Sequence, residues 1–188
     1  VFHKEKIEAL KMGGLLAVNK GSIDPPTFNI LEWKPENAKT EKPFVLVGKG
    51  IVFDTGGLSL KPTPKSMDYM KSDMAGGAVV ASAIYALAKN KVAVHVIGLI
   101  PATDNRPDGN AYVPGDIITM FDGTTVEIKN TDAEGRLILA DALSYAKKYS
   151  PELVIDIATL TGAADIVAGK HASVVMGNTG EYIQKLKK

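Results

Sequence analysis

The sequence predicts an α/β domain with a mixed central sheet flanked by helices, and three observations point there. Short apolar runs separated by Gly, Ser, Pro and Asn alternate with two long runs, 75–89 and 133–148, that suit helices. Val92 to Ile100 reads as a central strand between them. A hairpin over 117–128, turned at Asp122-Gly123, makes the sheet mixed rather than purely parallel.

In chain order, Phe2 to Met12 reads as a short helix, because Ile7 and Leu10 stand three apart among charged neighbours, and Gly13-Gly14 ends it. Leu15 to Val18, Phe28 to Trp33 and Phe44 to Val47 are brief apolar runs between turn residues, the pattern of strands. Ala75 to Lys89 is rich in Ala, Val and Ile, opens on a Gly pair and closes on Lys, as a helix packed tightly on a sheet would. Pro101 to Gly115 holds three Pro and two Gly and is expected to be a long loop. Ala133 to Lys148 is a second helix, Leu153 to Ile157 a short buried strand, and Ala163 to Ala168 starts another helix. No final element is expected before Lys187-Lys188. The polar stretches 34–42 and 101–115 are possible seams, but neither separates two self-sufficient cores. No repeat or low-complexity tract interrupts this order.

Composition narrows the function. With 22 Lys and Arg against 21 Asp and Glu, the net charge of +1 leaves no basic block that would track a nucleic-acid backbone. The absence of cysteine excludes disulfides, thiolate nucleophiles and sulfur metal sites, and is compatible with a reducing compartment. Apolar runs are too short for a membrane span and the charged opening is unlike a signal peptide, so a cytoplasmic protein without membrane or nucleic-acid partners is expected. A start at Val1 without Met suggests a fragment.

The charges are placed tellingly. Lys49, Asp54, Lys61, Asp73, Asp132, Glu134 and Arg136 all stand at predicted strand ends or just before helices, where open α/β sheets build their sites. Asp132 and Glu134 read equally as ordinary helix capping, as does Asp73. Gly135 argues for more, since glycine in a first helical turn costs up to about 1 kcal/mol relative to Ala and needs a reason such as close approach of another group. Carboxylates gathered in one place repel unless a cation lies among them, so convergence of these segments would call for one or two divalent ions. The donors are oxygen-rich, which suits Mg or Mn and also admits Zn, and His3, His95 and His171 read as structural or surface residues. No Gly-x4-Gly-Lys-Ser/Thr loop is present to cradle phosphate.

Asn130-Thr131-Asp132-Ala133-Glu134-Gly135-Arg136-Leu137 resembles the signature octapeptide of the leucyl aminopeptidase family, the cytosolic two-metal exopeptidases. Gly48-Lys49-Gly50 through Phe53-Asp54-Thr55-Gly56-Gly57 to Lys61, Met70 to Gly77, and Asp156 to Gly162 resemble its other motifs in the right order. One departure is Asp104-Asn105, where the family usually has Glu-Asn, a change not expected to touch the metals. The resemblance implies an aminopeptidase catalytic domain over 1–188, truncated at both ends, in a protein that assembles as a homo-hexamer. It implies that Lys49, Asp54, Asp73, Asp132 and Glu134 hold two divalent ions, Zn or Mn with Mg as a further option, and that Lys49 is a neutral amine ligand. Lys61 would stabilise the oxyanion, and Arg136 would hold a bicarbonate that serves as general base. Met70 would line the pocket for the first side chain, while Thr159, Leu160 and Gly162 would bind the peptide. The implied reaction is release of N-terminal leucine and similar residues from peptides with a free N-terminus. Two other readings are a non-catalytic scaffold or DNA-associated regulator of the same fold, and a phosphoryl-transfer enzyme using the same ions.

Overall fold

The computed structural model describes residues 1–186, which form a five-stranded mixed sheet between two layers of helices. In chain order the elements are α1 (Lys4–Ala9), α2 (Gly13–Asn19), β1 (Thr27–Trp33), β2 (Phe44–Gly48), β3 (Gly50–Asp54), a 3-10 segment (Met67–Ser72) and α3 (Ala75–Lys89). There follow β4 (Val96–Asn105), β5 (Ile117–Thr119), β6 (Thr125–Glu127), α4 (Glu134–Ala146), β7 (Leu153–Ile157), α5 (Ala163–Ala168) and α6 (Gly180–Leu186).

The sheet runs β1-β4-β2-β7, with β3 also against β4. Only β1 is antiparallel to its neighbour, so β1 makes the sheet mixed; the β5–β6 hairpin forms a separate two-stranded sheet. The expectation that the hairpin mixes the main sheet is therefore corrected. Successive strand residues point to opposite faces, and β4 shows the consequence. Ile97 and Leu99 join Val45, Val47, Leu15, Val18, Ile138 and Ala142 in the main core under α1, α2 and α4. A Cβ at Gly98, between them, would meet Val80 and Ile84 of α3, which therefore covers the other face.

Leu15 to Val18 belong to helix α2 and not to a strand. Four apolar residues carry no decisive period, and the deciding contacts come from distant segments. The buried Asp141 carboxylate of α4 accepts the Leu15 and Phe121 N–H groups, each at 2.9 Å, and so caps α2 from another helix. Gly13-Gly14 begins this helix instead of ending the first, because a Cβ at Gly13 would lie 1.8 Å from the Thr119 carbonyl and one at Gly14 2.5 Å from that of Leu137. Helix α1 is accordingly short, and Phe2 forms a bridge with Phe28. Helix α4 gives way to a 3-10 turn at Lys147–Tyr149. Helix α6 is an element not expected from the sequence, while Lys187 and Lys188 lie outside the described residues.

Strand β4 is displaced relative to expectation, running on through Pro101 to Asn105. Proline removes a ladder donor, and the structure places it where none is used. The register is the same on both sides of Lys49, with Val47 opposite Leu99 and Gly50 opposite Ala102, so β2 and β3 form one line with Lys49 facing Pro101. Lys49 turns its backbone elsewhere: its N–H donates to the Ile157 carbonyl at 3.0 Å and its carbonyl accepts the Gly77 N–H at 2.8 Å. This seats the start of α3 directly on the strands, and a Cβ at Gly76 would fall 2.0 Å from the Ile157 oxygen. Backbone is the obstacle there, so Gly76→Ala should destabilise the protein by about 1–3 kcal/mol, read as a lower urea midpoint with unchanged slope.

Candidate functional site

Three loops and two helix starts meet at the carboxyl ends of the parallel strands. Lys49 and Asp54 arrive on the β2–β3 line, Asp73 just before α3, and Asp132 and Glu134 around the start of α4. Between Ile51 and Asp54 the ladder is irregular: three steps on β3 answer two on β4, from Thr103 to Asn105. The extra residue re-aims the side chains after it, and Val52 is exposed while Asp54, two residues on, is buried.

Lys49 is only 2% exposed, and its ammonium lies 2.8 Å from Asp73 Oδ2, 2.9 Å from Glu134 Oε1 and 3.1 Å from the Thr159 carbonyl. Its side chain crosses the first turn of α4, where a Cβ at Gly135 would stand 2.6 Å from Cε and 2.9 Å from Nζ. That close approach is the reason for a glycine in a first helical turn. Lys61 reaches Asp54 Oδ2 at 3.0 Å and also pairs with Asp132. Neither Asp73 nor Asp132 is a helix cap: the residues preceding the helices are Met74 and Ala133, and no side chain caps either. The carboxylates of Asp54, Asp132 and Glu134 offer oxygens all within 4.8 Å of one another.

Burial is the main influence on the acids and pushes Asp73, Asp132 and Glu134 upward, Glu134 to about 7. For Lys49 and Lys61, burial acts to lower the pKa, but attraction to the paired carboxylates outweighs it and both are held above the ordinary lysine value. Both are therefore ammonium groups in this arrangement. Glu134 Oε2 is buried with no hydrogen-bond partner. Clustered carboxylates with raised pKa values and an unsatisfied buried oxygen are a donor set suited to divalent cations.

The other residues singled out in the sequence lie around this cluster. Met70 is half-buried in the 3-10 segment, three residues before Asp73, whose N–H donates to the Met70 carbonyl at 3.3 Å. Thr159 follows β7 and its hydroxyl donates to Asp73 Oδ1 at 2.8 Å. Leu160 and Gly162 are exposed on the loop beyond, and Arg136 is exposed in the first turn of α4, with no ion pair among the described residues. Asp104 stays outside the acid cluster and pairs with Arg106 at 2.7 Å. His3 precedes α1, His171 is exposed, and His95 pairs with Glu32 on the far end of the sheet.

Sequence reasoning misses the neutral residues beneath the charges. Asn105 donates to Asp54 Oδ1 and to the Thr131 carbonyl. Thr131 bonds Gly56 and Ser59, and Tyr112 donates to the Thr131 carbonyl. Thr131 lies inside the octapeptide and Asn105 in the Asp104-Asn105 pair, but neither position discloses its partners, and Tyr112 carries no signal beyond its place in a loop-like stretch.

A family model described as the cytosol aminopeptidase family, catalytic domain, matches residues 1–188. Among curated proteins, a probable cytosol aminopeptidase of Chloroherpeton thalassium is 56% identical over 189 residues, covering 100% of this chain and 37% of its own length. One from Chlorobium limicola is 59% identical over 95% of this chain and 35% of its own, and one from a Geobacter species is 50% identical over 100% and 38%. The chain thus spans a little more than a third of the length of these relatives.

In the presence of a chelator, the acid cluster makes stability depend on pH. Glu134 has a folded pKa of about 7, above its ordinary 4.5, so its contribution is fully present below the unfolded value and is lost as pH rises through the folded one. Asp73 and Asp132 act in the same direction. The thermal midpoint of the chelated protein should fall between about pH 5 and pH 7.5, and Glu134→Gln should flatten that fall; an equal slope in both proteins would contradict it.

Proposed function

The chain belongs to the cytosol aminopeptidase family, and from that premise we propose that the whole protein is a metal-dependent exopeptidase. It releases N-terminal amino acids, leucine and similar ones, from peptides with a free N-terminus. The observation that carries this reading is the cluster of buried Asp54 and Glu134 with half-buried Asp132, beside Lys49 and Asp73.

We assign Lys49, Asp54, Asp73, Asp132 and Glu134 to two divalent ions, Zn or Mn, with Mg as the third candidate on donor hardness. Ions held there lower the pKa of water and polarise a carbonyl, the chemistry that amide hydrolysis needs. Lys49 can serve as a ligand only by losing the proton that Asp73 and Glu134 now retain, so ion uptake is accompanied by proton release.

Lys61 keeps its charge, because two carboxylates hold its pKa up, and it projects from the loop after β3 toward the same cluster. A fixed ammonium at that position stabilises negative charge on the carbonyl oxygen as the carbon becomes tetrahedral. Arg136, exposed in the first turn of α4, is assigned to hold a bicarbonate, whose chemistry there would be that of a general base. Met70, half-buried beside Asp73, gives the pocket an unbranched apolar wall suited to Leu-like or Met-like side chains. Thr159, Leu160 and Gly162 line the loop after β7, where backbone groups can hold an extended peptide; the Thr159 carbonyl already faces the Lys49 ammonium.

The protein is proposed to work in the cytoplasm as a homo-hexamer. Among the described residues no helix is long and apolar enough to cross a membrane.

Two measurements on the whole protein test this reading. Loaded with Mn or Zn, it should hydrolyse leucine p-nitroanilide and leave N-acetyl-leucine p-nitroanilide essentially untouched; comparable rates would indicate an endopeptidase or general amidase. Lys61→Ala should lower kcat by about a hundredfold or more, as loss of an oxyanion donor does, with metal content retained. Loss of the metals instead would make Lys61 part of their support.

A further inference from the structure

We propose that Asn105 is a positioning residue of the metal centre, whose single amide nitrogen ties the Asp54 carboxylate to the peptide group that leads into Asp132. The inference rests on the reading of this cluster as an ion site and concerns a residue that touches neither ion nor substrate.

Asn105 ends β4, opposite Asp54 in the register, and is fully buried. Its Nδ2 donates to Asp54 Oδ1 at 2.9 Å and to the Thr131 carbonyl at 3.0 Å. Both partners are acceptors only, so the amide orientation is dictated: the reversed amide would set an oxygen against a carboxylate and a carbonyl. Asn105 Oδ1 is buried with no partner, and it points at Gly57, where a Cβ would come within 2.9 Å of it.

The two bonds act on the two carboxylates differently. At Asp54, Oδ1 also accepts the Gly56 N–H at 2.8 Å, so two donors hold that oxygen and Oδ2 is left facing Lys61 and the cluster. At Thr131, the bond fixes the peptide group that leads into Asp132. In the neighbouring bonds the Ser59 N–H donates to the Thr131 hydroxyl, which itself donates to the Gly56 carbonyl, and the Thr131 N–H donates to Ser59 Oγ; these tie the same two loops together but leave the Asp54 carboxylate untouched. Asn105 alone among these residues reaches both the carboxylate of Asp54 and the backbone next to Asp132. Aspartate at this position would lose both donors and bring a further negative charge against Asp54, whereas leucine keeps the volume and removes only the hydrogen bonds.

Tyr112 provides the control. Its hydroxyl donates to the same Thr131 carbonyl at 2.7 Å without contacting Asp54, so Tyr112→Phe loosens that loop while Asp54 keeps its donors. Manganese binding by wild type, Asn105→Leu and Tyr112→Phe in the whole protein would be titrated by the EPR signal of free Mn(II), alongside thermal midpoints in chelator. Outer partners of ligating carboxylates typically govern affinity by 10–100-fold, so Asn105→Leu should weaken Mn(II) binding by about tenfold or more. Tyr112→Phe, which removes a single bond to the same carbonyl, should bind close to wild type. Wild-type affinity in folded Asn105→Leu, or equal weakening in both variants, would overturn the inference. Should Asn105→Leu fail to fold, the same comparison with Asn105→Ala decides it. If the wild type itself took up no Mn(II), the ion-site reading would fail first and this inference with it.

Discussion

A buried ammonium can persist only inside a shell of acceptors and opposite charge, and the elements around Lys49 are arranged to supply one. Asp73 comes from one helix start and Glu134 from another, while the Thr159 carbonyl closes the third side. For these groups to converge, α3 and α4 must both approach the strand ends closely, and the glycines make that approach possible. Gly76 lets α3 rest on the Ile157 carbonyl, and Gly135 lets the lysine stem pass over α4. Even the proline in the neighbouring strand fits this demand, because Lys49 uses its backbone groups on β7 and α3 and needs nothing from Pro101.

That convergence has an electrostatic consequence. Removing carboxylates from water raises their pKa values, and each neighbouring carboxylate opposes ionisation further. The lysines relieve part of this, yet Glu134 still sits near neutrality and one of its oxygens has no partner. A cluster of this many acids around two ammonium groups has the charge and donor chemistry that could also accommodate cations of higher charge. Raised lysine pKa values and raised acid pKa values are thus two sides of one cluster.

Much of this is legible in the sequence, and the limits have physical reasons. Helix α3 stands at the expected residues, and α4 within two, because both are long and end in recognisable ways. The standing of Lys49, Asp54, Asp73, Asp132 and Glu134 at strand ends and helix starts is legible in local sequence, whereas their grouping as one set follows from the resemblance to the aminopeptidase motifs, since Asp73, Asp132 and Glu134 by themselves also read as helix capping. Leu15 to Val18 mislead because four apolar residues fit either period, and the group that makes them helical is Asp141, 126 positions away from Leu15. Strand β4 outruns its expected end because Pro101 is a breaker only where its missing N–H is wanted. Asn105 stands in the sequence as half of the Asp104-Asn105 pair, but its role is hidden for a different reason: a neutral amide discloses nothing until its two acceptors are known.

The β2–β3 line also bears on how this segment can change over time. Lys49 and Asp54 ride on one strand whose register is locked to β4 on both sides of the lysine, with one extra residue taken up before the aspartate. Side chains alternate along such a strand, so adding or deleting one residue between positions 49 and 54 would turn one of the two away from the cluster or remove the extra residue that aims Asp54. Length there is as constrained as residue identity. The exposed turn at 108–110, by contrast, has room: a Cβ at Gly109 would meet nothing within 4 Å. Insertions and deletions are therefore expected to accumulate in that turn and to be absent from 49–54, an asymmetry that would be visible in the gap pattern of the family.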